Sequence, residues 1–431
     1  TPCAQACANS SPTPARTILP TRSRRDIRST HLFGVFELWD CRHSIGVTSK
    51  HHSNLLVGLA NGQLTIDSRM PIDDRSELYK IGSADHTVRG ASSTQRRSAV
   101  RSHLPGSEVE MHRPPCFNVD TTAFWNNPYP ILAVLRRDAP IALVPELGSI
   151  LMTRRDDIFV AEKNVEVFSS EQPQGLMTRL MGQNMMRKDG AAHLREKKAI
   201  FPTVSPKTVR QVWTARFRSL ADRIIREFAA SGSADLIEVF AKPLAGECLK
   251  EITGLTNVTY TEIDAWSQAM IDGIANYSAD PEIENRCRAA TRSIDAAILD
   301  MAPVLRKSPN MSLLSVMMAA ELPAESIHAN IRLAISGGQN EPRDAIAGAI
   351  WALLRHPEQL TLARSGRVTW LQVFEEYVRW IAPIGMSPRR VAKPHQMHDV
   401  MFQPEDRVFF MFSSANHDEA HFAEPEHFDA T

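Results

Sequence analysis

Apolar residues recur at helical spacing over residues 324–356, the most strongly patterned stretch of the chain. Ile327 and Ile331 lie one turn apart in its first half, and Ile350 and Leu354 do so in its second half. Ala, Leu and Ile dominate both halves, so the pattern predicts one long helix that is buried on most sides. The rest of the domain is expected to pack around this central helix.

The middle of this helix is interrupted by the sequence Ser-Gly-Gly-Gln-Asn-Glu-Pro at residues 336–342. Pro342 has no amide hydrogen, so the carbonyl group of Gly338 loses its helical partner. Gly and Pro inside a helix cost about 1 and about 3 kcal/mol relative to Ala, which weakens the helix at its centre. One interpretation is a break at which a ligand lies against backbone; the other is two ordinary helices joined by a Gly-Gly loop.

Shorter patterns predict the other elements. Apolar strands at 141–144 and 149–153 are separated by Pro-Glu-Leu-Gly, which predicts a hairpin. Strands at 400–402 and 408–412 are joined by a turn at 403–406. Further helices are predicted at residues 205–232, 236–252, 261–275, 281–305 and 370–381. We therefore predict a mainly α fold with a small β lobe, because so many successive helices argue against a doubly wound α/β fold.

Residues 1–110 differ from the rest of the chain. Ser, Thr, Arg and His are abundant there, no periodicity is visible, and the apolar patches at 32–39 and 55–59 are too short to build a core. Too little apolar surface can be buried to offset the loss of chain entropy, so we predict disorder or a non-native extension. Met111 is a candidate natural start, which makes residues 111–431 the domain.

Charge and composition narrow the function classes. The 49 basic and 49 acidic residues balance, so nothing favours nucleic acid or an acidic membrane surface as a partner. No apolar run approaches the ~20 residues of a membrane span, and the N-terminus does not resemble a secretory signal. The six cysteines form no metal-spaced set, so no metal ligands are predicted, and they resemble the scattered thiols of a reducing compartment such as the cytoplasm.

Several polar pairs have an ordinary explanation when each is taken alone. Glu376 and Arg379 lie three residues apart and His193 and Lys197 four apart, spacings at which solvated surface pairs are common on helices. Arg389 follows a proline and could equally be a solvated corner. Their order along the chain carries more information than any single pair.

Five sequence elements occur in an order that is specific. They are SILMTRRDD at 149–157 with FSS at 168–170, EYVR at 376–379, the following Pro383 and Arg389, ANHD at 415–418, and FAEPEHF at 422–428. From about residue 117 onward the chain thereby resembles the cytochrome P450 family of soluble bacterial type. The resemblance implies the P450 fold with haem as its cofactor. Glu376 and Arg379 match the family's structural ion pair, to which no catalytic step is assigned.

The resemblance also implies which residues bind the haem propionates. His193 and Lys197 match the His-x-x-x-Arg pair of the family, and Arg389 matches its later propionate-binding arginine, with Arg390 as the nearest rival. Two buried propionates need charge-assisted donors, so cations at these positions make physical sense. Lys197 stands where the family has Arg, which keeps the charge but loses bidentate geometry.

The break in the central helix matches the family's oxygen-binding groove, which usually reads (Ala/Gly)-Gly-x-(Asp/Glu)-Thr. The aligned residues here are Gly337, Gly338, Gln339, Asn340 and Glu341. The family's proton-delivering acid–alcohol pair is thus replaced by Asn340 and Glu341, our candidate catalytic residues. A buried Glu341 with a raised pKa could still relay a proton to bound O2. The alternative is that the replacement impairs oxygen activation.

The family ligates haem iron through a cysteine thiolate in a loop that follows the FAEPEHF motif. No cysteine follows Cys287 in this sequence. We therefore expect a C-terminally incomplete P450 fold, cut before the axial ligand and inactive as it stands.

The intact parent is expected to be a monooxygenase that inserts one atom of O2 into a small organic substrate. Its electrons would come from NAD(P)H through a ferredoxin or a flavin reductase, and the segment WIAPIGM at 380–386 resembles the class with a fused reductase domain. Two alternatives are a non-catalytic helical binding protein and a partial gene product without a stable fold.

Overall fold

Helices form where the apolar periodicity predicts them and make up most of the protein. The structure, a computed structural model, describes residues 112–431 and the backbone of residues 56–60 and 63–66. The helices α1 to α16 are Thr121–Asn126, Tyr129–Asp138, Arg155–Ala161, Leu176–Met181, Gly190–Val204, Pro206–Thr208, Thr214–Phe228, Lys242–Thr253, Tyr260–Ile274, Pro281–Lys307, Leu313–Ala319, Ala324–Gly338, Asn340–Arg355, Pro357–Arg364, Trp370–Ile381 and Phe412–Ala415. Two π-helical segments, Val209–Trp213 and Ile237–Ala241, lead into α7 and α8.

The strands are short and most of them join one sheet. The strands β1 to β10 are Leu56–Ala60, Gln63–Ile66, Ile141–Val144, Ser149–Met152, Phe168–Ser169, Ser233–Asp235, Ser387–Val391, His395–Met397, Val400–Phe402 and Arg407–Phe410. The main sheet has the order β3-β4-β10-β7-β5. Its β3 and β4 form the predicted antiparallel hairpin, with Ile141 opposite Met152.

The strands predicted at 400–402 and 408–412 are present as β9 and β10, but they do not pair with each other. β9 pairs with β8, whereas β10 lies parallel to β4 and antiparallel to β7. The reason is that β10 is apolar on both faces. Val408 and Phe410 face one apolar cluster and Phe409 faces another, and a strand buried on both sides belongs in the interior of a sheet.

The largest apolar core lies among the helices. Ile331, Ala334 and Ile335 of α12 are buried there against side chains of α4, α5, α9, α10 and α11. A smaller cluster covers the sheet, and another lies between α13 and α15. The predicted mainly α fold with a small β lobe is confirmed.

The central helix is not continuous, and this corrects the prediction of one long helix. α12 ends at Gly338 and α13 begins at Asn340, with Gln339 alone between them at φ −99° and ψ −53°. Both glycines are helical, so no Gly-Gly loop exists. Pro342 lies in the first turn of α13, where backbone N–H groups have no intrahelical partner anyway, so its missing hydrogen costs little.

Most of residues 1–110 lie outside the described part of the chain, as does Met111. Within that segment the structure has two strands, β1 and β2, where we expect no regular structure. They pair with each other, and β1 also pairs with β6. The domain boundaries near residue 111 stay a prediction. In the described residues, no helix combines the length and apolarity needed to cross a bilayer.

Candidate functional site

Three consecutive polar side chains are buried at the break of the central helix. Gln339, Asn340 and Glu341 are 0%, 4% and 1% exposed. Within the described part of the chain, Gln339 Oε1, Asn340 Oδ1 and both carboxyl oxygens of Glu341 have no hydrogen-bond partner. Buried polar atoms are almost always hydrogen-bonded, and each exception calls for an explanation such as an ordered water, an ion or a ligand. The break is therefore the candidate site.

The carboxyl group of Glu341 has an unusual electrostatic environment. Burial raises its pKa well above the usual 4.5, and the charge of Asp344 one turn later raises it further. The backbone amide of Glu341 itself and the charge of Arg343 act in the opposite direction but are outweighed by burial. The folded protein therefore holds Glu341 as a neutral acid under conditions in which an exposed glutamate would be ionised. A neutral carboxyl group of this kind can act as a proton donor near neutral pH.

Gln339 anchors the break to the two helices beside it. Its Nε2 donates to the carbonyl oxygen of Lys242 at 3.3 Å and to Asp264 Oδ1 at 3.1 Å. Arg343, four residues later on the same face, donates to Asp264 Oδ1 at 3.4 Å and to Asp344 Oδ1 at 2.8 Å. Sequence reasoning missed this network. Only Asp344 carried a usable signal, its position three residues after Glu341.

The two glycines before the break are buried, and one of them allows a close helix contact. A Cβ atom added to Gly338 would lie 2.8 Å from Leu249 Cδ1 of α8. The glycine therefore leaves room for the Leu249 side chain of α8, and its backbone is helical rather than left-handed. Gly337 is also buried and helical. Their predicted role, a groove against which O2 lies, stays a prediction.

The predicted propionate-binding cations lie on α5 and β7. His193 Nδ1 lies 2.9 Å from the carbonyl oxygen of Met185, so this nitrogen carries the hydrogen. Lys197 follows one turn later and is half-buried. Arg389 is 7% exposed. Its guanidinium group donates a hydrogen bond to Ser387 Oγ and lies 5.1 Å from the ring centroid of Phe410.

The start of α5 is joined to the strand that carries Arg389. Asp189 at the start of α5 accepts hydrogen bonds from Ser169 Oγ at 2.5 Å and from the amide of Ser170. Ser169 belongs to β5, which pairs with β7 opposite Arg390. Arg390 itself is paired with Glu405 at the surface, at 2.7 Å. Arg389 is thus the more buried of the two rival arginines.

Glu376 and Arg379 form a bidentate ion pair, with both N···O distances at 2.7 Å. Arg379 also donates to the carbonyl oxygens of Asn416, Pro425 and His427, at 3.0, 2.8 and 2.8 Å. The pair therefore joins α15 to the irregular segment 416–429. Its position, burial and partners are those of a structural connection.

Haem fits these residues in part. The four unpaired oxygen atoms of Gln339, Asn340 and Glu341 suit a groove that binds a small polar ligand. The described cysteines are less well suited to supply a thiolate ligand for the iron. Among the described cysteines, Cys116 is exposed, and burial raises the pKa of Cys248 and Cys287 to about 12 and about 11. Buried thiols with raised pKa are typical of structural rather than reactive cysteines, so neither residue is assigned to the iron.

No family model matches the chain. It is 26% identical over 330 residues to the steroid C26-monooxygenase of Rhodococcus jostii (strain RHA1), covering 70% of this chain and 68% of that protein. It is 25% identical over 333 residues to the methyl-branched lipid omega-hydroxylase of Mycobacterium tuberculosis (strain CDC 1551 / Oshkosh), covering 69% and 74%. The solved structure of cytochrome P450 TbtJ1 superposes with a TM-score of 0.63 at 23% identity, covering 71% of this chain and 80% of that one.

Proposed function

We propose that this chain, which has the P450 fold and is by resemblance an enzyme of the bacterial cytochrome P450 type, inserts one atom of O2 into a small organic substrate. The observation that carries the proposal is the buried and unpaired carboxyl group of Glu341 at the break of the central helix, and its raised pKa supports it. Two relatives are named for acting on a steroid and on a methyl-branched lipid, so the proposed substrate is a lipophilic molecule of that size.

The residues proposed to hold haem are His193, Lys197 and Arg389. Charge-assisted hydrogen bonds from cations are the natural partners of buried propionates. His193 donates from Nδ1 to a backbone carbonyl, which leaves Nε2 for another partner. When bound, haem would supply O2 binding and electron-transfer chemistry.

Glu341 is proposed to hold the proton used in oxygen activation. Its carboxyl O–H would be donated into the groove, and the carboxylate left behind would be reprotonated afterwards. Asn340 cannot take this part, because an amide has no acidic proton at neutral pH. Its unpaired Oδ1 is proposed to orient the polar contents of the groove. Positioned general acids contribute about 10²–10⁴-fold to a rate.

Electrons are proposed to come from NAD(P)H through a ferredoxin or a flavin reductase, or through a fused reductase domain. The balanced net charge of the chain does not favour one donor over another. Purified candidate donors, each tested with the haem-loaded protein for NAD(P)H-dependent reduction, separate these possibilities.

A non-catalytic binding protein is the second candidate, favoured by the raised pKa of both buried thiols. Reduced, CO-treated absorption spectra distinguish the two, because thiolate-bound haem gives a far-shifted Soret band. With a spectrally competent protein, Glu341→Ala is expected to lower product formed per electron consumed by about 10²-fold. Glu341→Gln should do the same while keeping the side-chain shape, and Glu341→Asp should retain part of the activity. Unchanged coupling in Glu341→Ala would contradict the proposal.

A further inference from the structure

Asp344 lies three residues after Glu341 in α13, so the two side chains are neighbours on the helix surface. The Asp344 side chain is 27% exposed, whereas Glu341 is 1% exposed. The pair therefore joins a fully buried acid to a carboxylate that reaches solvent. Such a neighbour gives a buried acid that donates a proton repeatedly a route to solvent, which its own exposure of 1% does not provide.

Asp344 is held in place by a charged network that leads away from Glu341. Arg343 Nε donates to Asp344 Oδ1 at 2.8 Å, and its NH1 donates to Asp264 Oδ1 at 3.4 Å. Asp264 also accepts from Gln339 at 3.1 Å and lies 3.6 Å from Lys242 Nζ. These contacts fix Asp344 relative to α8 and α9.

The other members of the network are poorly suited to supply Glu341 with protons. Gln339 and Arg343 are four residues apart and share one face of the helix, on which both meet Asp264. Glu341 lies two residues from each, about 200° around the helix axis. Among the described residues, the charges that act on Glu341 are those of Asp344 and Arg343, and an arginine does not give up its proton.

We propose that Asp344 carries protons from solvent to Glu341 and so restores the buried acid after each donation. A hydronium ion of the solvent gives its proton to the Asp344 carboxylate and becomes water, the O–H proton then passes to the Glu341 carboxylate, and Asp344 is left as a carboxylate. The inference rests on the proposed function of Glu341. Asp344 acts through Glu341, so it is a positioning residue rather than a catalytic one.

The test follows the C=O stretching band of the protonated carboxyl group by infrared spectroscopy of the full chain, without haem or turnover. Glu341→Gln identifies the band by removing it. After transfer from H2O to D2O, the band shifts at the rate at which Glu341 exchanges its proton. We expect Asp344→Asn to slow this exchange by about tenfold or more, and Asp344→Glu to restore it.

Two controls separate proton transfer from a change in shape. Arg343→Gln breaks the pair with Asp344 but keeps its carboxylate, so the exchange should not slow. Asp272→Asn removes another part-buried carboxylate, on α9, and should have no effect. The unfolding midpoint of each variant is measured alongside, because a loosened fold would speed exchange rather than slow it.

The outcomes are distinct. A persistent band with unchanged exchange in Asp344→Asn would overturn the role of Asp344 and leave the proposed function intact. Equal slowing in Asp344→Asn and Arg343→Gln would also overturn it, because the shape of the network would then be responsible. If the wild-type chain has no such band, Glu341 is not a neutral acid, and the proposed function of that residue fails instead.

Discussion

The break in the central helix is a buried polar cluster and the Glu376–Arg379 pair is a part-buried one, and they differ in how fully their atoms are paired. Arg379 makes five hydrogen bonds, two to Glu376 and three to backbone carbonyls. Glu341 has no hydrogen-bond partner for either carboxyl oxygen within the described residues. The ion pair finds its hydrogen-bond partners within the folded chain. The carboxyl group at the break needs a partner from outside the described residues.

This difference separates buried polar groups that stabilise the fold from buried polar groups that serve a function. A fully paired buried cluster stabilises one arrangement of the chain, and removing one member leaves the others unpaired. An unpaired buried group costs stability and is tolerated where function requires it. The contrast therefore predicts opposite effects of mutation at the two places: loss of stability at the ion pair, and gain of stability at the break.

The largest effect is expected at the ion pair. Arg379→Ala should lower the free energy of unfolding by about 3–5 kcal/mol, because it leaves the Glu376 carboxylate and three carbonyl groups without their donor. Chemical denaturation of the variant measures the loss. Arg288→Ala is the matched control, since Arg288 pairs with Glu284 at 2.6 Å but is 44% exposed. The control should lose less than about 1 kcal/mol. Equal losses in the two variants would contradict a structural role.

The second-largest effect is expected where α13, which follows the break, packs on α15, which carries the ion pair. A Cβ atom added to Gly348 would lie 1.8 Å from Tyr377 Oη and 2.3 Å from Cζ. Gly348→Ala should therefore destabilise the protein by about 1–2 kcal/mol, although helix propensity alone would favour Ala by about 1 kcal/mol. Thermal unfolding measures this. Tyr377→Leu in the same background should recover part of the loss, and a purely additive double mutant would argue against the contact.

How far the sequence predicts this molecule depends on the range of the interactions. The β3–β4 hairpin is predictable because its strands and turn lie within residues 141–152. The partners of β10 are not, since Val408 pairs with Ile150, far away in the chain. An interruption within residues 336–342 is predictable from the glycines and the proline, but the position of the one-residue break at Gln339 is not, because it depends on contacts with α8 and α9.

The candidate site likewise has parts that the sequence predicts and a part that it does not. The pairing of Glu376 with Arg379 follows from their spacing and from the family resemblance, and the burial of Glu341 follows from the apolar helix around it. Asp264 could not be recognised, because only folding brings α9 beside the break. Its sequence surroundings show an ordinary amphipathic helix.

At the break of the central helix, we expect mutation to stabilise the protein, whereas mutation of the ion pair destabilises it. The folded pKa of Glu341 is raised above its unfolded value near 4.5, so the wild type loses stability as pH rises from that value toward the raised pKa. Glu341→Gln carries no titrating proton and escapes this loss. Relative to the wild type, the variant should gain about 1.4 kcal/mol for each pH unit in that window. Urea denaturation across the pH range measures it, and parallel curves for the two proteins would refute a buried neutral acid.

The smallest effect concerns the segment that the ion pair holds. His417 is 2% exposed and stacks on Tyr129, with ring centroids 4.5 Å apart. Its Nε2 lies 2.9 Å from the carbonyl oxygen of Trp380 and its Nδ1 lies 3.1 Å from Glu426 Oε1. Both neighbours are acceptors, so a ring nitrogen that carries a hydrogen can donate to either of them. The hydrogen bond between His417 and Glu426 is the main cause that lowers the pKa of Glu426.

Glu426 should therefore give a pH dependence opposite in sign to that of Glu341. With a folded pKa below 4.5, its contribution is present above that pH and is lost as pH falls through the lowered pKa. The Glu426 side chain is 62% exposed, so solvent screening limits the contribution to less than about 1 kcal/mol. Glu426→Gln should lose that amount near neutral pH and approach the wild type in acid. High salt should reduce the difference further. A variant that matches the wild type at every pH would show that the His417 contact contributes nothing.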